Sequence, residues 1–138
     1  MSYQIQTLKS NMYTYRLKEI VRIVDGDTVD VIIDLGFDIS IKKRVRVAGI
    51  DTPEKRTRDL EEKALGIAAT EFAEKWFAEH AGNIVVRTAL DGSAEKYGRL
   101  LGYFYADEVC FNEAIVDAGL AWRYDGGTKE KDLSTLGT

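Results

Sequence analysis

Two short acidic segments carry the residues best suited to chemistry. The first is Val24-Asp25-Gly26-Asp27-Thr28 and the second is Gly49-Ile50-Asp51-Thr52-Pro53-Glu54. Asp-Gly and Thr-Pro are ordinary turn residues, so either segment alone reads as a turn. If the fold brings Asp27 and Asp51 together, their like charges repel, and such a cluster usually holds a cation. With no His or Cys nearby, the donors are all oxygen, which suits Ca²⁺, Mg²⁺ or Mn²⁺. The EF-hand pattern is excluded, because the sixth loop position is not glycine and the twelfth is not glutamate. Metal-free, the cluster predicts at least one carboxylate with a raised pKa. Neutralising Asp27 is then expected to stabilise the protein.

Two arginines complete the set. Arg46 lies five residues before Asp51, and Arg99 follows Glu95-Lys96-Tyr97-Gly98 at the start of an apolar run. Carboxylates with two guanidinium forks suit phosphodiester hydrolysis, because the five-coordinate phosphorus gains negative charge that metal and arginine can neutralise. The net charge is -4, yet residues 42–58 hold seven basic side chains against two acidic ones, so that window is +5 and the remainder -9. A local basic patch on an acidic chain can still hold a polyanion. A single histidine, His80, following an apparent helix, argues against a Ser-His-Asp triad, a His-rich zinc site and a His–His acid/base pair; it reads as an exposed surface residue. The single cysteine, Cys110, cannot form an internal disulfide and reads as a small buried hydrophobe.

These residues must be positioned by a small fold. The chain has 138 residues, 45% of them apolar, enough for one domain with a core. The expected organisation is a single domain over 1–138, with its core at about 12–124 and a polar tail from 125, holding at most a turn or two of helix near 128–133. Residues 12–24 are rich in Tyr, Thr, Val and Ile and read as a strand. Val29, Val31 and Ile33 alternate with Asp30 and Asp34 as a half-buried strand, and Asp34–Asp38 reads as a turn. In 39–50, Ile39, Ile41, Val45 and Val47 share one face and Lys42, Arg44 and Arg46 the other. A helix is predicted over 60–80, with Asp59 and Glu62 as a capping box, Leu65, Ala68, Phe72 and Trp76 as its buried stripe, Glu71–Lys75 as an ion pair and Gly82 as its stop. Strands follow at 84–90 and 99–106. A short helix comes next, with Asn112 as N-cap, Phe111 and Val116 as staple, and Gly119 ending it beside a Leu120–Ile115 contact. The fold class is α+β: a five-stranded OB-type barrel, with a long helix between strands three and four and a short helix after strand five. No apolar run is long enough to span a membrane. The N-terminal stretch lacks an apolar h-region, so a cytoplasmic location is expected.

In order along the chain, V-D-G-D-T, R-V-R-V-A-G-I-D-T-P-E, E-K-Y-G-R and F-N-E-A-I-V-D-A-G-L-A resemble the motifs of the staphylococcal nuclease (thermonuclease) family, over about residues 18–124. The resemblance implies a nuclease taking DNA or RNA with little sequence preference and leaving 3′-phosphate ends; an endonuclease acting as a monomer is the expected form. It implies one Ca²⁺ held by Asp27, Asp51 and the Thr52 carbonyl, with Asp25 as a neighbouring carboxylate. Glu54 would position or deprotonate water, Arg46 and Arg99 would hold the scissile phosphate, and Lys96 and Tyr97 would contact the nucleotide. The chain is more acidic than the secreted prototype, has only about 19 residues after Gly119, and places Asp125 in the register of a second nucleotide-contacting tyrosine, with Tyr124 one place off. The competing reading is a catalytically weak or inactive nucleic-acid or protein-binding module on the same fold, and the presence of the full set of Asp27, Arg46, Asp51, Glu54 and Arg99 argues against it.

Overall fold

The computed structural model describes residues 12–89, 99–124 and 132–137. Within them, β1 (Met12–Asp25), β2 (Thr28–Gly36) and β3 (Ile39–Val47) form an antiparallel meander. The short β4 (Ile50–Asp51) follows, then helix α1 (Leu60–Glu79), β5 (Ile84–Ala89), β6 (Leu100–Ala106), β7 (Val109–Cys110), helix α2 (Phe111–Asp117) and β8 (Trp122–Arg123). A 3₁₀ turn at Leu133–Thr135 ends the described chain. The strand order is β3-β2-β1-β5-β6-β7, and β6 pairs back onto β3 in parallel through Val45–Leu100, Arg46–Leu101 and Val47–Gly102. That pairing closes a five-stranded barrel of OB type, with the long helix between its third and fourth strands. Closure removes most free edges.

The first strand has no period-two alternation, and the reason is visible in its register. Bulges recur along β1, so Arg16, Glu19, Arg22 and Asp25 pair in turn with Asp34, Ile32, Asp30 and Thr28 of β2. Each bulge adds one residue and tightens the twist, so Leu17, Ile20 and Ile23 all meet the core at a spacing of three. Across β2, the pairs Thr28–Arg46, Asp30–Arg44 and Ile32–Lys42 extend these outward rows onto β3. Val29, Val31 and Ile33 point the other way and are buried.

Helix α1 caps the barrel through an aromatic cluster. The Phe77 ring lies 5.0 Å from Phe104 and 5.0 Å from Phe111, and Trp76 lies 5.2 Å from Phe111. Large rings of this kind dominate the burial energy of a small core. The buried stripe is Gly66, Ala69, Thr70, Ala73, Trp76 and Phe77, one residue around from the expected one, with Leu65, Ala68 and Phe72 only half-buried. Small residues on this stripe let the helix lie closer to the barrel than a leucine face would. Asp59 does cap the helix, accepting from the Glu61 and Glu62 amides, but the Glu62 carboxylate turns instead to Glu54. On this helix Lys75 pairs with Glu79 at 3.8 Å and not with Glu71.

Other expectations are corrected by packing. Ile39 and Ile41 share a face of β3 with buried Val45 and Val47, yet they are 56% and 39% exposed, because β6 covers that strand only at 45–47. Their ribbon projects past the barrel and ends in a two-residue turn, Phe37–Asp38, with positive φ at both positions and Phe37 97% exposed. Asn112 is not the N-cap of α2. That position is Cys110, and Asn112 is buried in the first turn, accepting from Phe104 N and donating to the Ala48 and Gly102 carbonyls. Gly119 does end α2 with φ 74°, and Leu120 N donates to Ile115 O. His80 is half-buried, its ring 4.4 Å from Trp76, and Cys110 is likewise only half-buried. In the tail, Leu136 is buried, and the Trp122 indole donates to Asp132 O and Thr135 Oγ1. No helix among the described residues is long and apolar enough to cross a membrane.

Candidate active site

The two acidic segments meet at one end of the barrel. The turn between β1 and β2 presents Asp25 and Asp27, and Oδ1 of Asp25 accepts from the Asp27 amide at 3.1 Å, a local bond that shapes the turn. Gly26 sits at its apex because a Cβ there would lie 2.8 Å from Cβ of Ala69 on α1. Asp27 is buried, and its two oxygens are fixed by different partners: Thr28 Oγ1 donates to Oδ1 at 3.1 Å and the Thr52 amide donates to Oδ2 at 3.2 Å. The first acidic segment is thus tied directly to the second.

The second segment is held from the far side by a strand absent from the sequence reading. β8 pairs with β4 through Ile50–Arg123 and Asp51–Trp122, and the Tyr124 amide donates to Gly49 O at 2.8 Å. Two-residue strands carry no periodicity to read, so no sequence signal could have announced this one. Asp51 is 4% exposed.

Between the two carboxylates lies the Arg46 guanidinium, itself only 8% exposed. Its Nη2 is 3.4 Å from Asp27 Oδ2 and 3.4 Å from Asp51 Oδ1, and it donates to Ile50 O at 2.9 Å; Nη1 donates to Val47 O at 2.8 Å. A buried guanidinium needs such partners for its N–H groups. Arg99 enters from the start of β6, its Nη1 donating to Thr28 Oγ1 at 3.3 Å. Thr28 thereby touches both Arg99 and Asp27.

Glu54 is exposed and lies on the segment leading to α1. Two features that the sequence reading missed seat it. Its amide donates to Glu62 Oε2 at 3.1 Å. A Cβ at Gly66 would lie 2.6–2.8 Å from Lys55 N and the Glu54 carbonyl, so only glycine lets α1 approach this segment. The signal for Gly66 was present as a glycine inside a strong helical pattern, which usually has a packing reason. Lys96, Tyr97 and Asp125 lie outside the described residues.

The electrostatics separate the two aspartates of the first turn. Burial, followed by the hydrogen bond and charge of Asp27, pushes Asp25 up to about 7, and the charge of Glu54 adds to this. Burial acts to raise Asp27 too, but the Asp25 hydrogen bond, the Arg46 charge and the Thr52 hydrogen bonds outweigh it and hold Asp27 below the usual carboxylate range. The raised group expected from the cluster is therefore Asp25. The expectation that neutralising Asp27 stabilises the fold does not follow from this arrangement, because Asp27 is bonded on both oxygens.

Among the described residues, no three acidic, histidine or cysteine side chains gather closely enough to enclose a metal ion by themselves. Asp27 and Asp51 do share one guanidinium, and the ligand atoms these two side chains can offer a cation are all oxygen. Such a set fits a hard cation that draws further ligands from main-chain carbonyl and water.

Barrel, carboxylate pair and arginines define the class: an OB-type domain with a buried arginine bridging two carboxylates at one end of the barrel. The family model of staphylococcal nuclease homologues matches residues 44–136, and the chain belongs to that family. It is 37% identical over 101 residues to a thermonuclease of Staphylococcus intermedius, covering 72% of this chain and 55% of that protein. It is 31% identical over 116 residues to a micrococcal nuclease of Shigella flexneri, covering 77% and 57%. Protein ParB of Escherichia coli is 33% identical over 117 residues, covering 77% and 56%. The chain therefore spans somewhat more than half the length of these relatives.

Proposed function

We propose that this chain is a Ca²⁺-dependent endonuclease that hydrolyses phosphodiester bonds of DNA or RNA with little sequence preference, acts as a monomer, and leaves 3′-phosphate ends. The observation that carries this reading is the position of Arg46, 3.4 Å from both Asp27 and Asp51, with Arg99 reaching the same turn through Thr28. The thermonuclease and micrococcal nuclease relatives support it.

Asp27, Asp51 and the Thr52 carbonyl would hold the cation. Bound there, Ca²⁺ would supply positive charge and favour ionisation of nearby water. Arg99 and Arg46 bind the non-bridging phosphate oxygens, and their forks bind more tightly as charge builds on the five-coordinate phosphorus. Glu54 accepts the proton of the attacking water. The new P–O bond forms as the bond to the 5′ oxygen breaks, and that oxygen takes its proton from water, since arginine is too weak an acid to give one. Asp25 keeps the Asp27 turn in place.

The test is incubation of end-labelled single-stranded and duplex DNA with the purified protein, with Ca²⁺, Mg²⁺ or excess chelator. Cleavage in Ca²⁺ that stops with chelator is expected. Equal cleavage in chelator would remove the metal assignment, and binding without cleavage in any metal would make the chain a binding module.

A further inference from the structure

Next to the catalytic row lies a second row that the reaction does not use. The site end of the outer face carries Asp25, Thr28 and Arg46, side by side on β1, β2 and β3. One step along the ribbon the same strands carry Arg22, Asp30 and Arg44 in ladder register. Two residues along an antiparallel strand is about 7 Å, on the scale of one nucleotide step in an extended backbone. Arg44 is half-exposed, and spends Nε and Nη2 on Asp30 at 2.8 and 3.1 Å. Of the five N–H donors of a guanidinium, the others remain to meet a ligand. Arg22 is exposed on the opposite flank, and Lys42 stands in the following row with Glu19 as its acidic counterpart.

The charges of the two rows act on one another. Arg44 feels Arg99 and Asp25 of the site, after its own partner Asp30. Asp30 is held below the usual carboxylate range chiefly by the Arg44 hydrogen bond, with Lys42 and Arg22 adding to it. The row is thus continuous with the site, with two arginines flanking a single acid.

We propose that Arg22 and Arg44 form a second phosphate subsite, which takes the backbone phosphate next to the scissile one and carries the nucleic-acid strand out along the β1–β2–β3 face. This rests on the phosphodiesterase reading above. In a chain of net charge -4, long-range attraction of a polyanion is weak, so affinity must come from local rows of this kind. The subsite selects for oligomers over a dinucleotide, which has only one phosphodiester to offer.

The test compares wild type with the Arg22→Ala/Arg44→Ala double variant on a 12-nucleotide single strand and on a dinucleotide with one phosphodiester. The preference for the 12-mer, as a ratio of kcat/KM values, should fall about tenfold in the double variant, through KM, and the salt dependence of KM should become shallower by a slope of about one. Asp30→Asn supplies the opposite sign: removing that acid from the strand's path should lower KM for the 12-mer. An unchanged ratio in the double variant overturns the proposal. So does an Asp30→Asn variant that raises KM as the arginine variants do, because the pair would then be scaffold only. If wild type cleaves neither substrate, the nuclease reading fails by itself. The row is then judged by fluorescence anisotropy of the labelled 12-mer: weaker binding by the double variant upholds it, and equal binding overturns it.

Discussion

The site has a floor and a wall, and they are built differently. The floor is Arg46 with the Asp25–Thr28 turn and the Ile50–Thr52 segment; there Arg46, Asp27 and Asp51 are all buried and bonded to main chain or to one another. The wall is Arg99 and Glu54, on segments that leave regular structure: Arg99 is half-buried and Glu54 exposed. The floor is held by barrel closure and by the β4–β8 pair, so the fold itself fixes its charged groups. Such preorganised charge acts on a transition state without reorganisation at the moment of reaction. The wall stands nearer the surface, with Arg99 bonded to Thr28 Oγ1 and the Glu54 amide to Glu62.

The largest expected effect separates these two roles. Arg46→Ala should abolish detectable cleavage and also destabilise the protein by about 3–5 kcal/mol, because removing one partner of a buried ion pair strands the other charges. Chemical denaturation and an activity assay on the same preparation check both. Arg99→Ala should cost turnover about a hundredfold or more while leaving the denaturation midpoint nearly unchanged. If both variants lose stability equally, the floor and wall are not distinct.

Gly66→Ala tests how the wall is seated. A methyl there lies under 3.0 Å from the Glu54 carbonyl and Lys55 amide, so the segment must shift. A loss of about tenfold in kcat is expected, since small misplacements of catalytic groups are costly. Helix propensity alone argues for a gain in stability from this change, so wild-type activity with a raised melting temperature would refute the close-approach role.

The smallest effect concerns the two aspartates of the floor. Asp25 is raised from 3.8 to about 7, so its contribution to stability is fully present below its unfolded value and is lost as pH rises through about 7. Metal-free protein should therefore melt several degrees lower at pH 8 than at pH 5. Asp25→Asn should flatten that dependence, while Asp27→Asn should destabilise the fold at neutral pH. Asp27 is lowered, so its contribution is present above its unfolded value and is lost only as pH falls below the usual carboxylate range. A thermal melt series in chelator checks this, and a wild-type curve flat from pH 5 to 8 would contradict it.

How much of this was legible depends on where each signal resides. Val29, Val31 and Ile33 showed the core face of β2 because alternation is a local property. The floor residues Asp27, Arg46 and Asp51 were legible as types, and the meander order placed their segments at one end of the sheet. Burial of Arg46 was not legible, since a basic residue on the polar face of a strand gives no sign that another loop will cover it. Exposure of Ile39 and Ile41 depends on where β6 stops pairing, a tertiary fact. The β1 register was hidden by its bulges, which break period-two counting, and so was the row of Arg22, Asp30 and Arg44. Glu62 was read as half of a capping box, yet its carboxylate serves the wall through Glu54. Local capping grammar cannot tell a reciprocal bond from a tertiary one.

The central claim is that the fixed floor and the substrate-facing wall act together on one phosphate. Single-turnover cleavage of a 5′-labelled single strand in Ca²⁺, by wild type and by Arg99→Ala of equal melting temperature, tests it most directly. The account predicts 3′-phosphate products that a polymerase cannot extend without phosphatase treatment, formed at least about a hundredfold more slowly by the variant. Equal rates from the two proteins, or products extended directly, would contradict it.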